Sequence, residues 1–333
     1  MSSQSLQGNS AVLVTGGCGF IGSNFIRYLL NSYPDSRVIN LDKLTYAGNP
    51  ANLQDLESSG RYEFVRGDIC DLAAVHNAMG RVREVIHFAA ETHVDRSIDS
   101  SNDFVVTNVL GTRTLLDAAL RHKIERFVHI STDEVYGSIQ SGEAKEDSIL
   151  NPSSPYSAAK AASDLLALSY WMTHRLPVTV IRCTNNFGPY QFPEKVIPLF
   201  ITNLLRGKKV PVYGTGQNRR DWIFVLDACR AIDLVFRQGK PGNIYNIGGG
   251  NEITNLQLTR QIIQKMGLTD DFIQPVADRP GHDFRYAVNT EKIRALGFKP
   301  AHSFEAALDE TIAWYRQNGA WWEPLKCDKF TVK

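Results

Sequence analysis

Short apolar runs alternate with amphipathic stretches through the first half of the chain: AVLVTG, a segment through FIRYLL, RVINLD, YEFVRGD, EVIHFAA, a long stretch around VVTNVLGTRTLLDAAL, and RFVHIS. Brief apolar strands separated by amphipathic helices predict a parallel sheet with helices on both faces. Pro155 suits a first helical turn, where a missing N–H costs nothing, and it opens a predicted helix over 155–174; PVTVIRC reads as the strand that follows. After Cys183 the pattern changes. Pro and Gly become more frequent, and irregular segments such as NNFGPYQFPEK, VYGTGQNRRDW and DRPGHDFRY separate the helices. The expected chain is therefore α/β, with a doubly wound parallel sheet over 11–183 and a smaller mixed α/β C-terminal region over 184–333. That region should close over the sheet's carboxyl edge and bind substrate. Residues 244–249 read as a strand returning to the main sheet, so the boundary is not clean.

Composition narrows the function classes. The 333 residues carry a formal net charge of +1, with 43% hydrophobic and 21% charged, as in an ordinary soluble globular protein. No basic run gathers phosphate backbones, so nucleic acid is not an expected partner. No apolar stretch approaches the roughly 20 residues that span a bilayer. The opening MSSQSLQGNS lacks an apolar signal core and reads as a disordered leader, making the cytoplasm the default location. The five cysteines are widely separated and never form C-x-x-C, which fits reduced thiols. The eight histidines show no i, i+4 pairing and no Cys cluster, so no metal site is expected.

Candidate chemistry begins at the first strand. Gly16, Gly19 and Gly22 follow it directly and open a helix, a spacing that permits a tight turn and close backbone approach to a pyrophosphate. Asp42 ends RVINLD, where a carboxylate can bond adenosine ribose hydroxyls; it would repel a 2′-phosphate, favouring NAD over NADP. Lys43 beside it weakens that preference. Asp68 ends the third strand, where adenine should lie, and its bland alternative is a helix N-cap. Small residues after Phe88, namely Ala89 and Ala90, admit a cofactor closely.

Two acid/base devices then appear where one hydride transfer needs only one. Tyr156 and Lys160 are four residues apart and share a helix face, so an ammonium there should favour the phenolate. Thr132, Asp133 and Glu134 follow a hydrophobic strand, and two adjacent carboxyls can give and take further protons if a turn points both into one cleft. Adjacent side chains on an extended segment point to opposite sides, so the turn is a strict requirement. Elimination of water is the reaction that would use this set.

With S-T-D-E-V-Y-G and Y-S-A-A-K added to the glycine turn and Asp42, the chain resembles the extended short-chain dehydrogenase/reductase family from Val12 to about Leu325. Further motifs are DKLTYAGN, AAETHVDRS, NNFGPYQFPEK, GTGQNRRDWIFV, ADRPGHDFRY and WWEPL. It looks most like that family's nucleotide-sugar 4,6-dehydratases, since related epimerases lack the acidic pair. Cys18 departs from the Ala usual in the glycine loop, a small change.

The resemblance implies a Rossmann-type fold, tightly held NAD and a nucleotide-sugar substrate, dTDP-glucose ahead of a UDP-hexose. Tyr156, Lys160 and Thr132 would serve oxidation at C4. Glu134 would take the C5 proton and Asp133 would protonate the departing C6 hydroxyl, before hydride returns to C6. Phe20 and Ile21 in the glycine turn would meet the cofactor. So would Leu44, Thr45 and Gly48 in DKLTYAGN, Ile69, Thr107 and Asn186. For the substrate, Thr92 would touch the hexose and Asn185 its neighbourhood. Lys195, Val196 and Pro198, with Pro211 and Tyr213, would line the base and ribose pocket. Arg220, Arg279 and His282 would meet the diphosphate, and Asn255 would contact a phosphate or cap the following helix. Trp321 and Trp322 are assigned to packing. A homodimer built on helices near 105–120 and 155–174 is implied. A noncatalytic NAD-binding protein would have no use for Tyr156, Lys160 and both carboxyls together.

Overall fold

A computed structural model describes residues 11–278 and 280–326. The N-terminal leader, Arg279 and Cys327 lie outside the described residues. Among the described residues twelve strands form, in chain order: β1 Ala11–Thr15, β2 Val38–Asp42, β3 Tyr62–Arg66, β4 Val82–His87, β5 Arg126–Thr132, β6 Val178–Cys183, β7 Asn185–Phe187, β8 Val210–Tyr213, β9 Arg219–Phe224, β10 Ile244–Ile247, β11 Glu252–Thr254 and β12 Ile273–Val276. The main sheet has seven strands in the order β10-β6-β5-β4-β1-β2-β3, and every neighbouring pair is parallel. Strand order reverses between β1 and β4, which opens a crevice at their carboxyl ends.

Both faces of this sheet are covered, which is why its strands read as continuous apolar runs. Along β1 successive side chains point to opposite faces: Val12 and Val14 enter one core with Phe25, Ile26 and Leu29, while Leu13 joins Ile39, Leu41 and Val85 on the other. The first core extends into the second half of the sequence, taking Ala228, Ile232 and Val235 from the helix Val225–Gln238 and Leu308 and Ile312 from Phe304–Gln317. The remaining strands form two smaller sheets, β11-β9-β7 and β12-β8. As expected, residues 244–247 return to the main sheet, pairing Ile244 with Val180 and Ile247 with Cys183.

One element differs from its expectation. The stretch around 105–120 is not a uniform α-helix: Val105–Gly111 makes wide π-helical turns before Thr112–Arg121 continues as α-helix. Side chains explain the widening. Asn108 donates to Glu91 O at 3.0 Å and accepts from Glu91 N at 2.9 Å, while Thr112 donates to Asn108 O at 2.7 Å. These bonds tie the helix to the loop after β4 in place of a regular ladder, a pattern common near functional sites.

The expected packing of the C-terminal tryptophans is found. Trp322 is buried and donates to Tyr315 O, and Trp321 donates to Asn52 Oδ1 at 2.8 Å. Among the described residues no helix is long and apolar enough to cross a membrane, and no group of three or more His, Cys, Asp or Glu could hold a metal ion. Cys18, Cys70, Cys183 and Cys229 are free thiols.

Candidate active site

A cleft runs along the crevice from the glycine turn to the end of β5. The turn's backbone explains its composition. Gly16 has φ +71°, and a Cβ there would lie 2.5 Å from Ala89 N; one on Gly22 would lie 2.4 Å from Gly16 O. At Gly19 a Cβ would meet only Gly16 O, at 3.2 Å, leaving the backbone open toward the cleft. This is the cradle a pyrophosphate needs at the start of the helix Phe20–Ser32.

Asp42, at the end of β2, is buried, and its two oxygens accept from Leu44 N at 2.8 Å and Cys18 N at 2.9 Å. A carboxylate has about four lone-pair sites, so those bonds fix its orientation and leave acceptors for ribose hydroxyls. Asp68 accepts from Cys70 N and pairs with Lys43 at 2.7 Å. It is not an N-cap: Asp71 caps the helix Leu72–Met79, accepting from Ala73 N and Ala74 N. Near the other end, buried Asn185 Oδ1, Asn186 Oδ1 and Gln191 Oε1 have no hydrogen-bond partner among the described residues. Open glycine backbone at one end and unused buried acceptors at the other fit a dinucleotide carrying a carboxamide donor.

Phe20, Ile21, Thr45, Gly48, Ile69, Phe88, Ala89, Ala90, Thr107 and Asn186 border the cleft with these residues. Leu44 does not. It holds φ +58° so that its N–H reaches Asp42, and so acts on that carboxylate.

The acid/base groups converge on the same cleft, which Thr132, Asp133, Glu134, Tyr156 and Lys160 all border. The helix Pro155–His174 starts at a capping box made by Ser154 and Ser157, with Pro155 at its first position. Thr132 ends β5 and caps the 3₁₀ turn Asp133–Tyr136 by accepting from Glu134 N at 3.3 Å. That turn breaks the extended alternation, and both Asp133 and Glu134 border the cleft. Gly137, at φ +69°, ends it beneath Asn151.

Asp133 is buried, and its Oδ2 has no partner among the described residues. Burial, then the neighbouring Glu134 charge, pushes its pKa well above the ordinary carboxylate value, which favours the protonated form. The Tyr286 hydroxyl lies 3.5 Å from Glu134 Oε2 and donates to Asp283 Oδ2 at 2.7 Å.

Tyr156 is buried near the start of its helix. Burial and the Glu134 charge raise its pKa well above 10, outweighing the Thr132 hydrogen bond that lowers it. The Lys160 ammonium donates to Ile130 O at 2.7 Å. Burial brings Lys160 itself down to about 8, against the raising influence of Asp164.

Of the substrate candidates, Thr92, Asn185 and Lys195 border the cleft, with Lys195 Nζ donating to Thr92 O at 2.9 Å. Val196, Pro198, Pro211, Tyr213, Arg220, Asn255 and His282 stand outside its wall. Arg220 is buried behind it, donating to Asp283 O at 2.9 Å and lying 4.1 Å from the Tyr286 ring centroid. Tyr213 and His282 meet edge-on, and His282 Nδ1 is 2.7 Å from Asp278 Oδ1. Val196 and Pro198 belong to the helix Val196–Leu205. Asn255 is not a cap; Thr254 and Gln257 form the capping box of Asn255–Lys265. Glu91, Gln191 and Glu194 border the cleft without having been singled out. They lie in AAETHVDRS and NNFGPYQFPEK, so the segments were visible while these side chains were not. Glu194 accepts from Arg96 at 3.1 Å.

Comparison with known proteins completes the picture. The family model described as GDP-mannose 4,6 dehydratase matches residues 13–311. The chain belongs to this family. A dTDP-glucose 4,6-dehydratase from Streptomyces niveus is 57% identical over 320 residues, covering 95% of each chain. The crystal structure of DesIV, a dTDP-glucose 4,6-dehydratase from Streptomyces venezuelae with NAD and TYD bound, is 52% identical with a TM-score of 0.93, covering 95% of this chain and all of that one. A Thermus thermophilus UDP-glucose 4-epimerase solved with NAD shares the family's architecture at a TM-score of 0.86 and 30% identity, over 92% of this chain and 99% of its own.

Proposed function

We propose that this protein is an NAD-dependent hydro-lyase that converts dTDP-glucose to its 4-keto-6-deoxy product. The observation that carries the reading is the turn Asp133–Tyr136, which joins two carboxyls to Tyr156 and Lys160 in one cleft. An epimerase has no use for that pair. The 57% identity to a dTDP-glucose 4,6-dehydratase supports the base and sugar.

Bound NAD supplies the acceptor of the C4 hydride, its donor back to C6, and a positive charge favouring the Tyr156 phenolate. The glycine turn would hold its pyrophosphate, Asp42 its ribose, and Asn186 and Gln191 its carboxamide end. Tyr156 removes the C4 hydroxyl proton while Thr132 bonds that oxygen. The resulting carbonyl acidifies C5–H, which Glu134 takes. Protonated Asp133 gives its proton to the C6 hydroxyl, and water leaves as the C5–C6 double bond forms. Glu134 returns a proton to C5 as C6 is reduced.

The cleft's substrate end is assigned to Thr92, Asn185 and Lys195, with Arg220 supporting from behind. Residues 11–183 form the cofactor-binding part and 184–333 the nucleotide-sugar part, apart from the segments that rejoin the main sheet. Exposed Val105 and Leu110, with Leu165 and Met172 on Pro155–His174, support a homodimer through these helices. The free thiols support a cytoplasmic location. Incubation with dTDP-glucose and UDP-glucose separately tests the reading, through the alkali-absorbing 4-keto product. Product from dTDP-glucose is expected to form faster; none from either sugar overturns the assignment.

A further inference from the structure

Behind the catalytic turn lies a charged cluster that does not border the cleft. Arg182, on β6, is 1% exposed and sits in register beside Ser131 on β5. Its Nε donates to Asp164 Oδ2 at 2.8 Å, and Asp164 is wholly buried one helical turn beyond Lys160. Its Nη1 donates to the Tyr136 hydroxyl at 2.8 Å, with the guanidinium carbon 4.8 Å from that ring's centroid. Tyr136 is the last residue of the turn that carries Asp133 and Glu134. Its hydroxyl in turn donates to Asn246 Oδ1 on β10 at 2.8 Å, and Asn246 donates to Ala144 O. One hydroxyl thus accepts from Arg182 of β6, itself bonded to Asp164 of the helix, and donates to β10.

A buried ion pair is weak evidence for stability, because desolvation of both charges offsets their attraction and apolar replacements often serve as well. What apolar residues of the same volume cannot supply is directional bonding among three separate elements. The cluster fixes a distance that the reaction depends on. Tyr156 and Lys160 ride on the helix that bears Asp164, whereas Asp133 and Glu134 ride on the turn that ends in Tyr136.

We propose that Arg182 and Asp164 are positioning residues for the elimination half of the reaction, clamping the carboxyl-bearing turn to the helix of Tyr156 and Lys160 through Tyr136. This rests on the dehydratase reading above. Oxidation at C4 uses groups at the helix and the end of β5, and is little affected by a shift of the turn. Elimination needs Glu134 at C5 and Asp133 at the C6 oxygen simultaneously, so a displacement of the order of 1 Å is enough to slow it.

Single turnover of the holoenzyme with dTDP-glucose separates the halves, since cofactor reduction appears in near-ultraviolet absorbance and elimination appears as 4-keto-6-deoxy product. Tyr136→Phe keeps the ring and the Arg182–Asp164 bond but removes the link. It is expected to slow product formation by about 10- to 10²-fold relative to cofactor reduction, so that reduced cofactor accumulates. Arg182→Met should shift the same ratio, and the double variant should be no worse than the more affected single one, as for groups acting through one contact. If Arg182→Met does not fold, Tyr136→Phe alone carries the test. Both halves slowing in proportion, or an unchanged Tyr136→Phe, would overturn the proposal in favour of a purely structural role. Failure of the unsubstituted protein to reduce its cofactor or form product would instead overturn the functional reading, and this inference with it.

Discussion

Asp133, the acid of the proposed elimination, is a carboxyl buried at a cost in stability. Its folded pKa is raised far above the ~3.9 of an unfolded chain, so the folded state keeps a proton that the unfolded state releases. Its unfavourable contribution is absent below the unfolded value and grows as pH rises toward the folded one. Asp133→Asn removes that liability. The variant is expected to gain on the parent by up to about 1.4 kcal/mol per pH unit within this window, seen as a melting difference that widens with pH. It should also lose water elimination, with partial rescue by a sugar bearing a better C6 leaving group. Equal melting differences at low and neutral pH would contradict a protonated Asp133. Glu134→Gln should leave cofactor reduction intact while slowing product formation by about 10²- to 10⁴-fold, and unchanged turnover would remove Glu134 as the base. On the proposed reading Lys160 sets the alkaline side, since burial brings its pKa down to about 8. The free enzyme's kcat/KM should therefore fall as pH rises through that value, and a profile flat to about pH 10, where an ordinary lysine titrates, would contradict the role.

At the scale of elements, the site depends on how strands end. Gly137 lets the chain leave the 3₁₀ turn at φ +69°, and a Cβ there would lie 2.1 Å from Asn151 O. Gly137→Ala is expected to cost about 1–3 kcal/mol, read as a lower denaturant midpoint, together with slower elimination. Strand positions, the glycine turn and the helix starting at Pro155 were legible in the sequence because each is a local pattern: apolar runs, fixed glycine spacing, a proline at a first turn. The cleft's cofactor end followed, since those residues sit at strand ends. Less legible were features made by side chains distant in sequence. The π-helical turns at Val105–Gly111 arise from Asn108 bonding to Glu91, and Asp71 took the cap that Asp68 had been offered. Substrate candidates from the C-terminal loops scattered for the same reason. Their motifs were recognisable, but nothing in GQNRRDW says that Arg220 turns inward to Asp283 O.

On the scale of the whole molecule, the exposed apolar side chains on the π-helical stretch and on Pro155–His174 form the surface expected to pair with a second copy. Leu165 is 60% exposed on that helix. Leu165→Asp should reduce the solution mass to that of a single chain at low concentration, by light scattering; an unchanged mass would locate any dimer contact elsewhere. The seventh strand of the main sheet has another consequence. Because β10 comes from residues 244–247 yet pairs with β6, a nascent chain that has emerged only as far as Cys183 carries its cofactor cradle and catalytic pair on a sheet with a bare border. Such a border is a template for unwanted pairing. Ribosome-bound or truncated forms ending there should cling to chaperones and precipitate, because β6 is covered only when residues 244–247 arrive and Asn246 bonds Tyr136.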